Sequence, residues 1–492
     1  MSDILRRGRL SSTPDEKIHK FTSSMIDDAW IFDADILVDM AHTIMLYEQE
    51  IIKKEDCVSI LSSLLKIRDE GIEKLDWSYE DIHISLESRL IDMVGEDIGG
   101  RMHSGRSRND EVATCIRLVL RNQLLDLMDE INTLRESLLI TASENLKTIM
   151  PGYTHLQHAQ PTTFAHHLLA HTGALKRDFG RVLDAFSRIN MCPLGAAAFA
   201  STGFDIDRSR TRELLGFEGI VENSMDAVST RDFLIEAAFV CTNIMLNLSK
   251  MAEEIILWST SEFNFIELDD QYASTSSIMP QKKNPDTAEL IRGKCGVATG
   301  SLMSLITISK SLPLSYNRDL QEATPNIWKC VETTTTSLLI MAGMISTMKI
   351  NKEAMELQSV NGFTTATELA DTLVRVSGIP FRTAHQIVGM IAKDGHVPTL
   401  EIIDDAAYSV MQKKMSDLGL TEDIVHEALD PHLNIDRRKA AGGPASNEVL
   451  RCIGSGKDDL VSDINTVNQI RDHTERSVKN LLDLVHEFIG NT

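Results

Sequence analysis

Proline and aromatic residues are scarce in this sequence. Pro accounts for 12 of the 492 residues, and Phe, Trp and Tyr together make up 5%. Sandwiches and barrels need many short strands rich in aromatic residues, so this composition disfavours an all-β fold. Hydrophobic residues make up 42% and Met numbers 21, which favours long helices around a large buried core.

Cysteine is sparse, and its spacing forms no recognisable pattern. Seven Cys lie between Cys57 and Cys452, and no two of them form a CxxC pair. An odd number without such pairs indicates neither a disulfide framework nor a zinc ribbon. We therefore expect a protein of the reducing cytoplasm.

Positive charge is outnumbered by negative charge. Lys and Arg total 49 against 72 Asp and Glu, which gives a formal net charge of −23. Such a surface repels nucleic acids and anionic membranes. Uncharged stretches such as residues 333–348 are also too short for an ordinary membrane span. We expect neither a nucleic-acid nor a membrane partner.

Two proline-free segments carry a sharp apolar repeat. Steps of four and three residues alternate, as in helices that pack nearly parallel in a bundle. The repeating positions are Leu120, Leu124, Leu127, Ile131, Leu134 and Leu138, and then Leu234, Ala238, Cys241, Met245, Leu248, Ala252 and Ile255. Each predicted helix runs roughly 30 to 40 residues, or about 45 to 60 Å, which exceeds a single small domain. A homo-oligomer is therefore expected.

Shorter helices are predicted on both sides of this middle region. They are expected at 34–52, 56–70 and 85–94, and again after 362 with breaks at 378–380, 397–398 and 442–444. The sequence thus predicts an all-α fold with a central long-helix bundle. The predicted regions are 1–105, 106–361 and 362–492.

Four segments are unusually polar for a plain helical bundle. In residues 103–110, two Arg flank a turn, and Asn109 or Asp110 is predicted to cap the following helix. The guanidinium group of Arg and the N-terminus of a helix both favour carboxylate or phosphate ligands. From this segment alone, a solvent-exposed turn without a ligand is an equally good interpretation. Residues 316–322 mix hydrogen-bond donors and acceptors and by themselves are more typical of a surface turn.

The other two polar segments contain clustered His and Lys. Residues 152–161 are followed by His166, His167 and His171, which could serve as acid and base groups, as metal ligands, or as packed surface residues. No full ligand set is apparent, so no metal site is expected. In residues 274–286, Asn284 is predicted to cap a helix that begins at Pro285, which would bring Lys282 to a helix N-terminus.

These segments carry a resemblance to a known family. The pattern Ser-Ser-x-Met-Pro-x-Lys-x-Asn at residues 276–284 resembles the fumarase/aspartase superfamily signature. The segments 103–110, 152–157, 224–226, 281–286 and 316–322 resemble the versions found in argininosuccinate lyases. The resemblance runs from about residue 6 to residue 450. The superfamily signature alone would leave fumarase, aspartase and adenylosuccinate lyase open.

The sequence departs from the family pattern at four places. Its opening is Arg6-Arg7-Gly8-Arg9-Leu10 in place of Trp-Gly-Gly-Arg-Phe, and Thr275 stands where the family has Gly. Thr324 replaces a Lys that usually binds substrate, which puts one contact in doubt. The stretch after Gly443 is longer than in typical members and predicts an extra or extended helix.

The resemblance implies reversible cleavage of argininosuccinate to L-arginine and fumarate, a step of arginine biosynthesis, by anti β-elimination without a cofactor. Ser276 is implied as the base, which needs Lys282 and loop N–H donors because a free hydroxyl is a very weak acid. His155 is implied as the partner acid, acting through water or a relayed contact, and Glu289 orients its imidazole.

The resemblance also implies how the substrate is held. Lys282 and Asn284 would bind the succinyl carboxylate. Around the anionic half lie Arg108, Asn109 and Thr154, and around the remainder lie Ser24, Tyr316 and Gln321. Asp81 and His83 belong to a segment that the family also uses near its site.

In this family the fold is all-α, and the protein is a homotetramer with a twenty-helix core and active sites assembled from three subunits. Two alternatives stay open at this stage: another fumarate-releasing lyase such as adenylosuccinate lyase, or a non-catalytic structural protein like some delta-crystallins.

Overall fold

The computed structural model describes residues 15–395 and 397–490, and the described chain is mainly helical, which confirms the all-α prediction. The α-helices are α1 (Glu16–Thr22), α2 (Met25–Asp28), α3 (Phe32–Glu48), α4 (Lys54–Glu70), α5 (Ile82–Val94), α6 (Glu96–Gly99), α7 (Arg108–Glu144), α8 (Phe164–Ile189), α9 (Arg208–Leu214), α10 (Ser224–Ser229), α11 (Asp232–Trp258), α12 (Asp286–Ser309), α13 (Ala323–Thr347), α14 (Lys352–Val360), α15 (Ala366–Ser377), α16 (Phe381–Asp394), α17 (Leu400–Met411), α18 (Glu422–Leu429), α19 (Pro431–Arg437) and α20 (Ser446–Gly490). The unusual opening at residues 6–10 lies outside the described residues.

Short strands form small two-stranded sheets between the helices. The strands are β1 (Ile149–Thr154), β2 (Gln157–Thr163), β3 (Met191–Cys192), β4 (Gly219–Ile220), β5 (Ile266–Glu267), β6 (Ser274–Thr275), β7 (Lys283–Asn284) and β8 (Lys349–Ile350). Strands β1 and β2, β5 and β8, and β6 and β7 pair antiparallel, whereas β3 and β4 pair parallel. These pairs shape the loops that join the long helices.

Five helices, α7, α8, α11, α12 and α13, pack against one another as the central bundle. Every residue of the two predicted apolar repeats is buried in it. Helix α7 has 37 residues, as predicted, but α11 has 27 and is shorter than predicted. It ends because the chain reverses after Trp258, where the Phe265 N–H donates to the Trp258 carbonyl at 2.9 Å.

Helix α7 begins with a different cap from the one predicted. Ser107 is the cap residue, its side chain accepts from the Asn109 N–H, and Asp110 accepts from the Ser107 N–H at 2.9 Å. The second oxygen of Asp110 accepts from the N–H groups of Gly195 and Ala197, both at 2.8 Å. Asp110 therefore belongs to the cap as the third residue of a capping box and also holds a tertiary contact, whereas the N-cap itself is Ser107 and not Asn109 or Asp110 as predicted.

The shorter predicted helices appear as α3, α4 and α5; each begins two or three residues earlier than predicted, α3 ends four residues earlier, and α4 and α5 end at the predicted residues. Helix α5 starts earlier than predicted because Asp81 caps it and accepts from the Ile84 N–H at 2.9 Å. Helices α15 and α16 are separated at Gly378, and α16 and α17 at Pro398, as predicted.

The C-terminal part divides its apolar residues between two cores. Helices α15 to α18 surround an apolar cluster of their own, whereas α20 returns to the main bundle and packs on α7, α4 and α8. The domain boundaries at 105 and 361 stay a prediction.

Helix α20 is the extended C-terminal helix that the sequence predicts, and it has 45 residues. Its buried apolar positions repeat mostly at the heptad spacing of a helix that packs along another. These positions are Val449, Ile453, Leu460, Val467, Leu481 and Val485. Arg135 of α7, whose side chain is fully buried, pairs with Asp463 of α20 at 2.5 Å.

One helix in the described part of the chain, α11, is long and apolar enough by composition to cross a membrane. In its most apolar window, 56% of the residues are buried, and the helix packs against α8, α12 and α13. A core helix of a bundle meets the same criterion, so we assign α11 to the bundle core.

The Arg135–Asp463 pair yields a stability prediction. Asp463→Ala should lower the free energy of unfolding by about 3 kcal/mol, because it leaves a buried guanidinium without its counter-charge. Asp459→Ala is the matched control: Asp459 lies one turn away and pairs with the half-exposed Lys176, so its loss should cost less than about 1 kcal/mol. Chemical denaturation at fixed protein concentration measures both, and equal effects of the two substitutions would contradict the assignment.

Candidate active site

A polar cavity of about 140 Å³ lies where α2, the starts of α5 and α7, and the segment before α13 meet. Five of the predicted substrate-binding residues line it: Ser24, Arg108, Asn109, Tyr316 and Gln321. The other lining residues are Asp28, Glu80, Asp81, His83, Val112, Ile116, Arg231, Arg318, Leu320 and Thr324. Five segments that are distant in the sequence, including Arg231 at the start of α11, thus converge on one pocket.

The pocket wall carries both signs of charge. Arg108 pairs with Asp81, and Arg318 pairs with Glu80. Burial by itself would raise the pKa of Glu80, but the hydrogen bond and charge of Arg318 outweigh it, so the pKa is lowered. Arg318 also donates to the Thr22 carbonyl at 2.7 Å, which fixes the chain before Ser24. Such a wall suits a ligand that carries both carboxylates and cations.

Arg231 is a cation of this pocket that the sequence analysis did not select. It is 3% exposed and donates only to carbonyl groups, those of Val228 and Thr230 at 3.2 and 2.7 Å. Burial lowers its pKa to about 10, so it stays protonated at neutral pH. No carboxylate among the described residues forms a salt bridge with it. One feature of the sequence could have identified Arg231: it lies at the N-terminus of the predicted helix α11, where a positive charge is unfavourable.

Asp28 is a buried carboxylate at the edge of the same pocket. Its Oδ2 accepts from the Ser24 hydroxyl at 2.6 Å. Burial raises its pKa from 3.8 to about 6, against the opposing charge of His83 and the Ser24 hydrogen bond. The hydroxyl of Ser24 is therefore oriented by a partner that changes charge near neutral pH.

A cluster of buried charges lies beneath the pocket and joins α3, α5 and α7. The Nδ1 of His83 lies 2.9 Å from Asp35, and Arg106 pairs with Asp39 and, at 2.9 Å, with Glu111. Burial by itself would lower the pKa of His83, but the charge of Asp35 raises it well above its usual value. The imidazole is thus held protonated, and the pocket floor is a network of paired charges.

The predicted base, Ser276, lies in a loop closed by β6 and β7. Ser274 faces Asn284 and Thr275 faces Lys283 in this antiparallel pair. Asn284 is therefore part of a strand, and α12 begins at Asp286 without a side-chain cap, so the predicted capping role of Asn284 was wrong. Thr275 fits because a β-branched residue suits an extended strand.

The Ser276 hydroxyl oxygen accepts two backbone hydrogen bonds inside this loop. The donors are the N–H groups of Ile278 at 3.3 Å and Met279 at 3.1 Å. The same two donors would stabilise negative charge on that oxygen.

The two lysines of the loop differ in their environment. Lys283 is held by Glu267, Asp270 and the Leu268 carbonyl at 3.2, 2.7 and 2.6 Å. Lys282 is exposed and forms no salt bridge within the described part of the chain. Of the two ammonium groups, that of Lys282 is therefore available to an anionic ligand.

His155 lies at the tip of the β1–β2 hairpin. It and Leu156 have φ of +56° and +57°, as in a type I′ turn, although such turns normally use Asn and Gly. Thr154 and Leu156 beside it are also exposed. Holding two consecutive residues in this left-handed conformation costs energy, and the turn presents the imidazole outward.

The predicted site residues thus form two groups in one chain. Ser24, Arg108, Asn109, Tyr316 and Gln321 line the pocket. The remaining ones lie on the Ser276 loop, the His155 hairpin and the first turn of α12, and none of them lines the pocket. These remaining residues are Ser276, Lys282, Asn284, Thr154, His155 and Glu289.

The raised pKa of Asp28 predicts a pH-dependent stability effect. A proton on this carboxylate stabilises the folded state fully below about pH 4, and this stabilisation is lost as the pH rises through about 6. Asp28→Asn should therefore exceed wild type in free energy of unfolding by on the order of 2 kcal/mol near pH 8, with no gain near pH 4. Denaturation at both pH values measures this difference. A variant no more stable than wild type near pH 8 would contradict the assignment.

Comparison with known proteins identifies the family. The profile of a lyase family matches residues 8–300, and that of the argininosuccinate lyase C-terminal region matches residues 363–436. Proteins named argininosuccinate lyase from Methanosarcina acetivorans and Methanosarcina mazei are 66% and 65% identical over 488 residues, which is 99% of each chain. A solved structure of EDDS lyase in complex with formate is 33% identical, with a TM-score of 0.87, and the match covers 100% of this chain and 99% of that one. The chain therefore belongs to the argininosuccinate lyase family of the fumarase/aspartase superfamily.

Proposed function

We propose that this chain cleaves argininosuccinate reversibly to L-arginine and fumarate, as a cytoplasmic enzyme of arginine biosynthesis. The observation that carries the proposal is the 66% identity, over 99% of both chains, with a relative that bears the name of this activity. The mixed-charge pocket supports it, because argininosuccinate carries three carboxylates together with a guanidinium and an amine.

In the proposed complex, the pocket and the Ser276 loop bind different parts of the substrate. Arg108 and Asn109, with Thr154, would surround the anionic half, and Lys282 and Asn284 would bind the succinyl carboxylate. The remaining part would contact Ser24, Tyr316 and Gln321. Arg231 is a buried cation that forms no salt bridge with the described carboxylates, which supports binding of a substrate carboxylate in the pocket, because a buried charge is stabilised when an anion binds beside it.

The proposed chemistry is an elimination in which Ser276 removes a proton from the carbon beside a carboxylate. The electrons form a doubly charged aci-carboxylate, which the ammonium of Lys282 stabilises. The C–N bond then breaks, its electron pair stays on nitrogen, and that nitrogen takes a proton from His155 or from a water that His155 orients. Glu289 is proposed to orient His155. No cofactor or metal takes part in this scheme.

The Ser276 alkoxide is the species in the proposed reaction that most needs stabilisation by its surroundings. A free hydroxyl is far too weak an acid at neutral pH, so the negative oxygen needs local stabilisation. The N–H groups of Ile278 and Met279 are directed at that oxygen, and the cation of Lys282 is in the same loop. These groups support Ser276 rather than its neighbour Ser277 as the base.

An assay of fumarate release tests the proposed function. Purified protein with argininosuccinate should produce the ultraviolet absorbance of fumarate, whereas adenylosuccinate should not. Release from adenylosuccinate alone would favour the other superfamily lyase. Release from neither substrate by folded protein would favour a structural protein similar to the inactive delta-crystallins.

We also propose a homotetramer, with the three regions 1–105, 106–361 and 362–492 in each chain. Large apolar side chains remain exposed on the central bundle, among them Phe239 and Leu246 of α11, Met303 of α12 and Leu339 of α13, which are 49–55% exposed. Apolar patches of this kind mark contacts between proteins. Four copies of the five bundle helices would make a twenty-helix core.

The division of the predicted site residues into two groups supports the same assembly. One partner copy would bring its Ser276 loop and a second would bring its His155 hairpin to the pocket, so that each active site is built from three subunits.

Light scattering tests the assembly. We expect a particle of four times 54.8 kDa at micromolar concentration. A stable monomer near 54.8 kDa that releases fumarate at full rate would contradict both the tetramer and the shared active site.

Substitutions in the Ser276 loop test the base assignment. Ser276→Ala should lower kcat at least about 10³-fold, with little change in stability, because it removes the proton acceptor. Lys282→Met should lower kcat by roughly 10² to 10³-fold, since its charge acts on the transition state. Ser277→Ala is the matched control, because the adjacent hydroxyl is exposed but accepts neither loop N–H. Near-normal turnover of Ser276→Ala with a dead Ser277→Ala would shift the assignment by one residue.

A further inference from the structure

Two imidazoles and one carboxylate converge between α8 and α11, and none of the three residues lines the pocket. The Nε2 atoms of His167 and His171 lie 2.9 and 2.7 Å from the same atom, Oε2 of Glu254. We propose that His167, His171 and Glu254 form a binding site for a divalent transition-metal ion, with Zn²⁺ as the best match. This site is independent of the proposed reaction.

The helices set the geometry of the cluster. His167 and His171 are four residues apart on α8, so both rings lie on one face of that helix. Glu254 comes from α11, which packs directly against α8. The three donor atoms thus lie at the corners of a small triangle. They can face a common point without a change in the backbone.

The dimensions of this triangle suit a small metal ion. Zinc binds imidazole nitrogen and carboxylate oxygen at about 2.0–2.2 Å, so two ligand atoms in a tetrahedral site lie about 3.3 Å apart. The present separations of 2.7 and 2.9 Å between nitrogen and oxygen are about half an ångström shorter. Small side-chain rotations would therefore admit the ion.

The chemistry of the donors selects the class of metal. Two neutral imidazoles and one carboxylate suit Zn²⁺, Co²⁺, Ni²⁺ or Cu²⁺, whereas Mg²⁺ and Ca²⁺ prefer sets of oxygen ligands. Three protein ligands leave a fourth position for water. The side chains of His167, His171 and Glu254 are 28%, 15% and 32% exposed, so the ion has access from solvent.

The surroundings hold the ligands in place. The ring of Trp258 packs edge-on against His167, with 5.0 Å between the ring centres. An ion held here would join α8 to α11 and stabilise the bundle.

The adjacent His166 provides a matched control on the same helix. Its Nε2 lies 2.9 Å from the Gly442 carbonyl, and its Nδ1 lies 2.8 Å from the Thr162 hydroxyl. It therefore faces away from Glu254, and its replacement should leave the metal ligands intact.

The experiment uses the full-length protein, stripped with EDTA and titrated with Zn²⁺ in competition with a chromogenic chelator. Wild type and His166→Gln should each bind one Zn²⁺ per chain with the same affinity and gain thermal stability on binding. His171→Ala and Glu254→Gln should each weaken binding at least about 100-fold. Circular dichroism verifies that each variant is folded, and Co²⁺ bound to wild type should give the intense visible band of a tetrahedral site.

Unchanged Zn²⁺ affinity in both His171→Ala and Glu254→Gln would overturn the proposal, as would the absence of the Co²⁺ band in wild type. Fumarate release should be the same with and without EDTA, because the site contributes no group to the elimination. An EDTA-sensitive activity that Zn²⁺ restores would contradict this independence.

Discussion

Burial of the Arg106 guanidinium between Asp39 and Glu111 is the interaction on which the pocket depends. It ties α3 to the start of α7, two residues before Arg108. A buried ion pair adds little net stability, but removal of one partner is costly, so the arrangement tolerates few alternatives. The positions of Arg108 and Asn109 are therefore set by charges that no ligand touches. Loss of one member alone would leave the others as uncompensated buried charges beneath the pocket.

Local patterns in the sequence were sufficient to predict the long helices and their breaks. The apolar repeat from Leu120 to Leu138 depends only on helical geometry, and so it predicted α7 correctly. The N-cap of α7 was placed two or three residues too late, although Ser107 followed three residues later by Asp110 is the local pattern of a capping box. The second contact of Asp110, with the loop at residues 195–197, has no local signal. For the same reason the approach of Glu254 to His171, across 83 residues of sequence, could not be predicted.

The candidate site was predicted in part, and the omissions have a common cause. Motifs identify residues by the neighbours they have in sequence, so Ser24 and Tyr316 were found from the family pattern. Arg231 and Asp28 were missed because their significance comes from burial, which lowers the pKa of the Arg231 guanidinium and raises that of the Asp28 carboxyl. Charge in a low-dielectric environment is a property of the folded chain, and composition does not reveal it.

Helix α20 makes the central bundle depend on a contact between distant parts of the chain. The counter-charge of Arg135 lies 328 residues further along the sequence, on α20. Without α20, α7 would expose an apolar face and a cation that must stay hydrated, so the bundle would be incomplete. Pairing across such a separation carries a large loop-closure entropy and slows folding. Docking of α20, with its 45 residues, is therefore the contact that completes the native core of the bundle.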